Sequence, residues 1–304
     1  MRREFSIDEL RPQRAWDWKV ALYLFAAGTA GGLIFVELVL RSMDKLDENT
    51  STWGAWIGLA VAAFSLLVLF THLGPGARWR FMHVFRRPRT AWLSRGAIIV
   101  TVLMALRLLV VLPTAFEDLP WDEESIAGTI LRVGVWTFAA AFMAYSGLVL
   151  SSWRSIPFWN TPLLPILYVG YSFLGGVAAL PIVALLAEGR GGMEAVGDTV
   201  WPLLLALLGG NSIVLLIYLW GMSTATRSAR ESARRLIRGD LAVLFLLGVA
   251  VLGLTVPLVL VVVGSASGVS PASWLFFVSG IMILGGGFLL RHCVIKAGVY
   301  APLV

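Results

Sequence analysis

Hydrophobic positions fall into eight long runs, near 17–41, 53–73, 92–113, 128–153, 162–187, 199–222, 240–264 and 271–292, separated by short polar, charged or Pro/Gly-containing joints. Runs of about 20 apolar residues carry an α-helix across the roughly 30 Å hydrocarbon layer of a bilayer, where every backbone polar group has to be satisfied internally. The pattern predicts an all-α integral membrane protein of about eight transmembrane helices, a single transmembrane domain over residues 1–304 built as two four-helix bundles. Trp16, Trp18, Trp53, Trp92, Trp153, Trp201 and Trp274 stand near predicted helix ends, where amphipathic rings favour the headgroup layer.

Composition agrees, because a chain that is 58% hydrophobic and 14% charged cannot hide its apolar surface inside a water-soluble globule. The opening Met1-Arg2-Arg3-Glu4-Phe5 superficially resembles a twin-arginine signal, but the apolar run after Trp18 reaches Leu40 and no small-residue cleavage site follows, so a retained first helix is expected. With an even number of spans both termini share a face, and that face collects 19 of the 24 Lys and Arg residues. The opposite face carries Asp44, Asp47, Glu48, Glu117, Asp118, Asp122, Glu123, Glu124, Glu188, Glu194 and Asp198. The positive-inside rule then places both termini in the cytoplasm, although a basic face that docks an acidic partner would give the same asymmetry. The arginine-rich 227–238 segment reads as a juxtamembrane basic loop on anionic lipid, and nucleic acid is not expected as a partner.

The single cysteine, Cys293, cannot hold an iron–sulfur cluster, which needs about four thiolates, so any cluster belongs to a partner. His72, His83 and His292 are the only imidazoles, and a haem-free chain is expected, although two of them could in principle make one haem site. Gly28 and Gly32 lie one helical turn apart in the first span and mark a close helix approach. Tyr168 followed by Gly175-Gly176 in the fifth span parallels Tyr23 followed by Gly31-Gly32 in the first, as a parallel duplication of four-helix halves or chance would give.

Three unusual segments fall on the terminal face: Trp16-Asp17-Trp18-Lys19 leading into Tyr23; the aromatic and basic stretch from Thr71 and His72 through Trp79 and Arg80 to His83; and Ser151 to Pro162, a tight connection whose prolines stop one helix and restart the next. Here the chain resembles a known family. Tyr23-Leu24-Phe25 with Gly28 and Gly31-Gly32 is similar to the first helix of NrfD/polysulfide reductase membrane subunits. Leu73-Gly74 with Arg78-Trp79 resembles that family's Asp-Leu-Gly-Arg-Pro-x-Arg-Phe-Trp motif, Gly147 through Pro165 its fourth-to-fifth helix connection, and Gly286 through Arg291 its last helix.

The resemblance implies a membrane anchor in a bacterial or archaeal cytoplasmic membrane that exchanges electrons between menaquinone or ubiquinone and a ferredoxin-like four-cluster iron–sulfur subunit, itself wired to a molybdopterin (Mo/W) catalytic subunit. It places the quinone site at the docking face, the motif carboxylate on His72, the fourth-helix tyrosine on Tyr145 and a first-helix polar residue near Val20 or Tyr23. Trp18, Tyr23, His72 and Tyr145 are therefore the candidate quinone residues, with His72 and Tyr145 the reactive pair. His72 reads as a proton partner, since imidazole titrates near neutrality, or as an interfacial histidine bonded to a loop carbonyl. Tyr145 reads as a phenol donating to a quinone carbonyl or as a helix–helix hydrogen bond. Trp79, Arg80, Arg154 and Trp159 suit partner docking, or lipid headgroups. Within the spans Glu37, Arg107 and Arg132 sit toward the acidic face, as a proton path from that face or as paired and snorkelling charges. A transporter or channel and a haem-bearing cytochrome b anchor are the competing classes.

Overall fold

The structure, a computed structural model, describes residues 10–72, 92–116, 121, 125–270 and 274–301. Among these, seven continuous helical stretches are long and apolar enough to cross a membrane, and one of them, Leu163–Thr224, runs for 62 residues. Straight, that stretch would extend about 90 Å, three times the hydrocarbon thickness. It reverses instead at Gly189, whose φ of 66° and ψ of −145° fall where only glycine sits without strain. The two arms then run antiparallel: a Cβ added at Gly192 would stand 2.6 Å from the Ala184 carbonyl oxygen, and one added at Gly170 would stand 2.5 Å from Asn211 Oδ1. The stretch is thus two spans, and the eight expected are present.

The helices are α1 (Trp18–Ser42), α2 (Glu48–His72), α3 (Trp92–Val111), α4 (Ile126–Ser151), α5 (163–188), α6 (190–224), α7 (Arg227–Ile237), α8 (Leu244–Ala266) and α9 (Trp274–Ala297). Two expectations need correction. The joint at 188–198 is helical except at Gly189, because one left-handed residue turns the chain and leaves no loop to form. The 227–238 segment is largely a helix, α7, capped by Thr226 Oγ1 accepting from Ala229 N at 3.3 Å. It buries Ala229, Ala233 and Leu236 and exposes Arg227, Arg230, Arg234 and Arg238.

Both ends of the polypeptide meet on one face. Pro12 and Val299 form an antiparallel bridge, Gln13 Nε2 donates to the Ile295 carbonyl at 2.9 Å, and Ala301 N donates to the Ser155 carbonyl at 2.8 Å. α7 is tied to the same knot. Arg235 forks onto Asp240, whose carboxyl it holds below the usual carboxylate range, and gives Nη1 to the Lys296 carbonyl at 2.8 Å.

α1 lies at the centre, packed on α2, α4, α5 and α9. Its contact with α5 is backbone to backbone, because a Cβ added at Gly32 would overlap the Ser172 carbonyl oxygen and one added at Gly176 would overlap the Gly32 main chain. Toward the other face, Glu37 on α1 forms a buried ion pair with Arg107 on α3, each 1% exposed, and also accepts from Ser51 Oγ. Arg41 Nη1 in turn donates to Ser51 Oγ at 2.9 Å.

Gly176→Ala is expected to lower stability by about 1–3 kcal/mol, the range for overpacking a filled site. Gly285→Ala, with open space around the added methyl, should stay within about 0.5 kcal/mol of the parent. Thermal unfolding in detergent compares the two. Arg107→Met leaves the Glu37 charge buried alone and should cost about 3–5 kcal/mol, whereas the double variant Glu37→Gln/Arg107→Met should recover most of that loss; an equally unstable double variant would show that the pair acts through shape rather than charge.

Candidate functional site

The terminal face is built from the start of α1. Asp17 is the N-cap of that helix, its Oδ1 accepting from Lys19 N at 3.0 Å and Val20 N at 3.4 Å. The same oxygen lies 3.3 Å from Nδ1 of His72, the last residue of α2. Both side chains are partly open to solvent, 29% for His72 and 40% for Asp17, so the pair can exchange protons with water. The resemblance puts His72 where the family has its carboxylate. In three dimensions α1 supplies a carboxylate beside it.

Below this pair two tyrosines meet across the α1–α4 interface. Tyr23 is 3% and Tyr145 1% exposed, and their hydroxyls lie within electrostatic reach of each other. Tyr23 is six residues past Asp17, about 9 Å deeper into the bundle. The Tyr145 hydroxyl is buried and among the described residues makes no hydrogen bond of full geometry, the Tyr23 phenol being the polar group in reach. Its ring lies flush on α3, where a Cβ at Gly96 would overlap it and stand 2.6 Å from the hydroxyl. A buried phenol short of a well-formed hydrogen bond costs about 1–3 kcal/mol, so an acceptor of the right geometry would be bound favourably here. The arrangement offers a proton-exchanging pair at the membrane surface and a hydrogen-bond donor under it.

Around this core the structure brings two of the three sequence segments together. The Trp16 ring packs edge-on against Trp153 at 5.5 Å and against Trp159 at 5.4 Å. Trp159, expected at the docking surface, is 1% exposed, and its indole N–H donates to the Val294 carbonyl at 2.9 Å. It is a packing residue that ties the 151–162 connection to α9, and the surface positions of that connection are Trp153, 41% exposed, and Arg154. Trp18 is 52% exposed at the rim of α1, away from the buried tyrosines. Trp79, Arg80 and His83 lie outside the described residues.

The charges toward the opposite face do not form one continuous path. Glu37 and Arg107 are brought together, but Arg132 is apart, with Nη2 3.3 Å from Thr129 Oγ1. Arg132 and Arg41 both line a cavity of about 600 Å³ with Leu38, Ser42, Val133 and Trp136. Arg41 and Ser51, which sequence reasoning passed over, connect that cavity to Glu37. Asp17 belongs to the Trp16–Lys19 segment that stands out in the sequence, but nothing local shows that it faces a histidine 55 positions on. Arg291, grouped by sequence with the terminal-face charges, is instead wholly buried between α1, α5 and α9. Among the described residues no group of three or more His, Cys, Asp or Glu side chains could hold a metal ion.

The protein is 27% identical to the C subunit of polysulfide reductase from Wolinella succinogenes over 93% of its own length and 94% of that subunit's. It is also 27% identical to protein NrfD of Escherichia coli, over 81% of this chain and 83% of the relative, and 23% identical to the NrfD homolog of Haemophilus influenzae over 98% of both. The family model described as polysulphide reductase, NrfD, matches residues 8–302, and this multi-pass membrane protein belongs to that family.

Proposed function

We propose that this protein is the quinone-reactive membrane subunit of a multi-subunit oxidoreductase, passing electrons between membrane menaquinone or ubiquinone and a docked ferredoxin-like iron–sulfur subunit that serves a molybdopterin catalytic subunit. The observation that supports this reading is the pair of buried phenols, Tyr145 and Tyr23, beneath the Asp17–His72 pair, with no full hydrogen bond to the Tyr145 hydroxyl among the described residues. Quinone carbonyls are hydrogen-bond acceptors, and a quinone supplies two-electron, two-proton chemistry when bound. Tyr145, backed by Tyr23, would hold one carbonyl oxygen, and Gly96 keeps the phenol in place. His72 and Asp17 move protons between water and the site, with Asp17 orienting the imidazole through Nδ1. Trp18 stands where a headgroup passes from the bilayer rim.

The partner docks on the same terminal face, where Arg154 and Trp153 are exposed; Trp79 and Arg80 are assigned there from sequence alone. This face is taken as cytoplasmic in a bacterial or archaeal inner membrane, following its excess of Lys and Arg. A proton route from the opposite face would begin at the cavity lined by Arg41 and Arg132 and reach Glu37 through Ser51, which would make turnover electrogenic.

Three single variants and one double variant of the assembled complex test the reading. Tyr145→Phe should lower quinone-linked turnover about 10-fold or more while activity with an artificial dye, which reads the catalytic subunit alone, is unchanged. Asp17→Asn keeps a good helix cap, so its effect reports on His72 rather than on α1. It should lower quinone-linked turnover in the same direction as His72→Ala, and the double variant should lose less than the product of the two single losses, because the residues act as a unit. Full quinone turnover in His72→Ala would remove this pair from the mechanism. Purification of the protein without iron–sulfur and molybdopterin proteins would instead point to a transporter.

A further inference from the structure

The most anomalous group in the molecule is Arg291, which is 0% exposed and has no carboxylate within ion-pair distance among the described residues. Its guanidinium sits beside Gly28, ten residues and about 15 Å into α1, at the level of the bilayer midplane. There Nη1 donates to the Gly287 carbonyl at 3.0 Å and Nη2 to Ser172 Oγ at 3.2 Å. Nε has no partner. The rings of Tyr168 and Phe25 lie 5.2 and 5.8 Å from the guanidinium carbon. Two further buried hydroxyls, Tyr168 and Tyr171, are within electrostatic reach of the same cation, and neither has a hydrogen-bond partner among the described residues.

The protein deals with its other wholly buried arginine, Arg107, by placing Glu37 against it. No such neutralisation is present here, although an uncompensated charge in hydrocarbon is among the costliest arrangements a membrane protein can hold. Room for the guanidinium is built in, since a Cβ at Gly28 would stand 2.6 Å from Nη2 and 2.5 Å from Ser172 Oγ. The position also parallels that of Tyr145 in the chain. Arg291 lies six residues before the end of α9, as Tyr145 lies six before the end of α4, and Tyr168 precedes Gly176 much as Tyr23 precedes Gly32.

We infer that Arg291, Tyr168 and Tyr171 form a midplane binding site for a small monovalent anion of halide size. The Nε–H and the two phenol O–H groups are donors within electrostatic reach of one positive charge, which suits a ligand that only accepts hydrogen bonds and brings the missing negative charge. A water molecule would satisfy the hydroxyls but would leave the cation uncompensated. A large or doubly charged anion fits poorly, because α1 and α5 touch backbone to backbone one turn away and the single cation balances a single charge. The inference stands independently of the quinone reading, since Phe25 and Gly28 face α9 and α5 while Tyr23 faces α4.

The test is thermal unfolding of the purified complex at constant ionic strength with gluconate, too large for the site, replaced stepwise by bromide. The wild type should show a saturable rise in Tm. Arg291→Met should lose the rise while remaining at least as stable as the wild type in gluconate alone, because it removes a buried unpaired charge. Should that variant fail to fold, Tyr168→Phe/Tyr171→Phe keeps the cation and should weaken the bromide response by roughly 10-fold or more. Diffraction from bromide-grown crystals should place an anomalous peak beside Arg291 Nε. A wild-type Tm indifferent to bromide, or a rise that persists undiminished in both variants, overturns the proposal.

Discussion

The crossing of α1 and α5 governs the rest of the molecule. Within a bilayer there is little hydrophobic force between helices, so association depends on close packing and on polar groups that find partners in protein. Gly32 and Gly176 let the two helices touch through their main chains, and everything that carries charge or hydroxyl groups is arranged around that contact. On one side α1 turns Tyr23 toward α4 and Glu37 toward α3; on the other it turns Phe25 and Gly28 toward α9 and α5. A side chain at either glycine would separate the helices and move both polar clusters at once. The glycines are thus structural, yet they set the distances on which any chemistry depends.

The same crossing gives the weak sequence repeat a physical meaning. Two glycines in equivalent places of the first and fifth spans are each other's backbone neighbours, as expected where two similar halves meet about a pseudo-axis. The halves have diverged at their fourth helices. One presents a neutral phenol at Tyr145, close to a surface pair that can exchange protons; the other presents a permanent cation at Arg291, closed off from water.

The spans themselves are legible in the sequence because hydrocarbon thickness imposes a length that few other folds imitate, and seven of the eight predicted runs overlap observed helices to within a few residues at most ends. The turn at Gly189 is not legible, since a reversal made by one residue leaves the charged flanks helical and produces none of the usual loop composition. α7 carries a signal that charge obscures: Ser228, Ala229, Ser232, Ala233 and Leu236 recur at helical spacing beneath a run of arginines. Tyr23 and Tyr145 are singled out only through family resemblance, because a tyrosine in an apolar helix is otherwise unremarkable. Arg291 misleads because its Cα lies near a helix end, while side chains on a helix lean toward its N-terminus and carry this guanidinium back into the membrane.

The relation between Asp17 and His72 shows why a motif position is a poor guide to a site's chemistry. Where the family motif has a carboxylate this protein has an imidazole, and on sequence alone the acid is missing. The fold restores it from another helix: Asp17 is fixed by two backbone N–H groups of α1 and meets His72 at the end of α2. Those N–H groups hold the carboxylate in place against the imidazole. The proposed quinone chemistry calls for an acid–base pair above the buried phenols, and the α1–α2 contact brings a carboxylate and an imidazole together there without any residue of the motif being an acid.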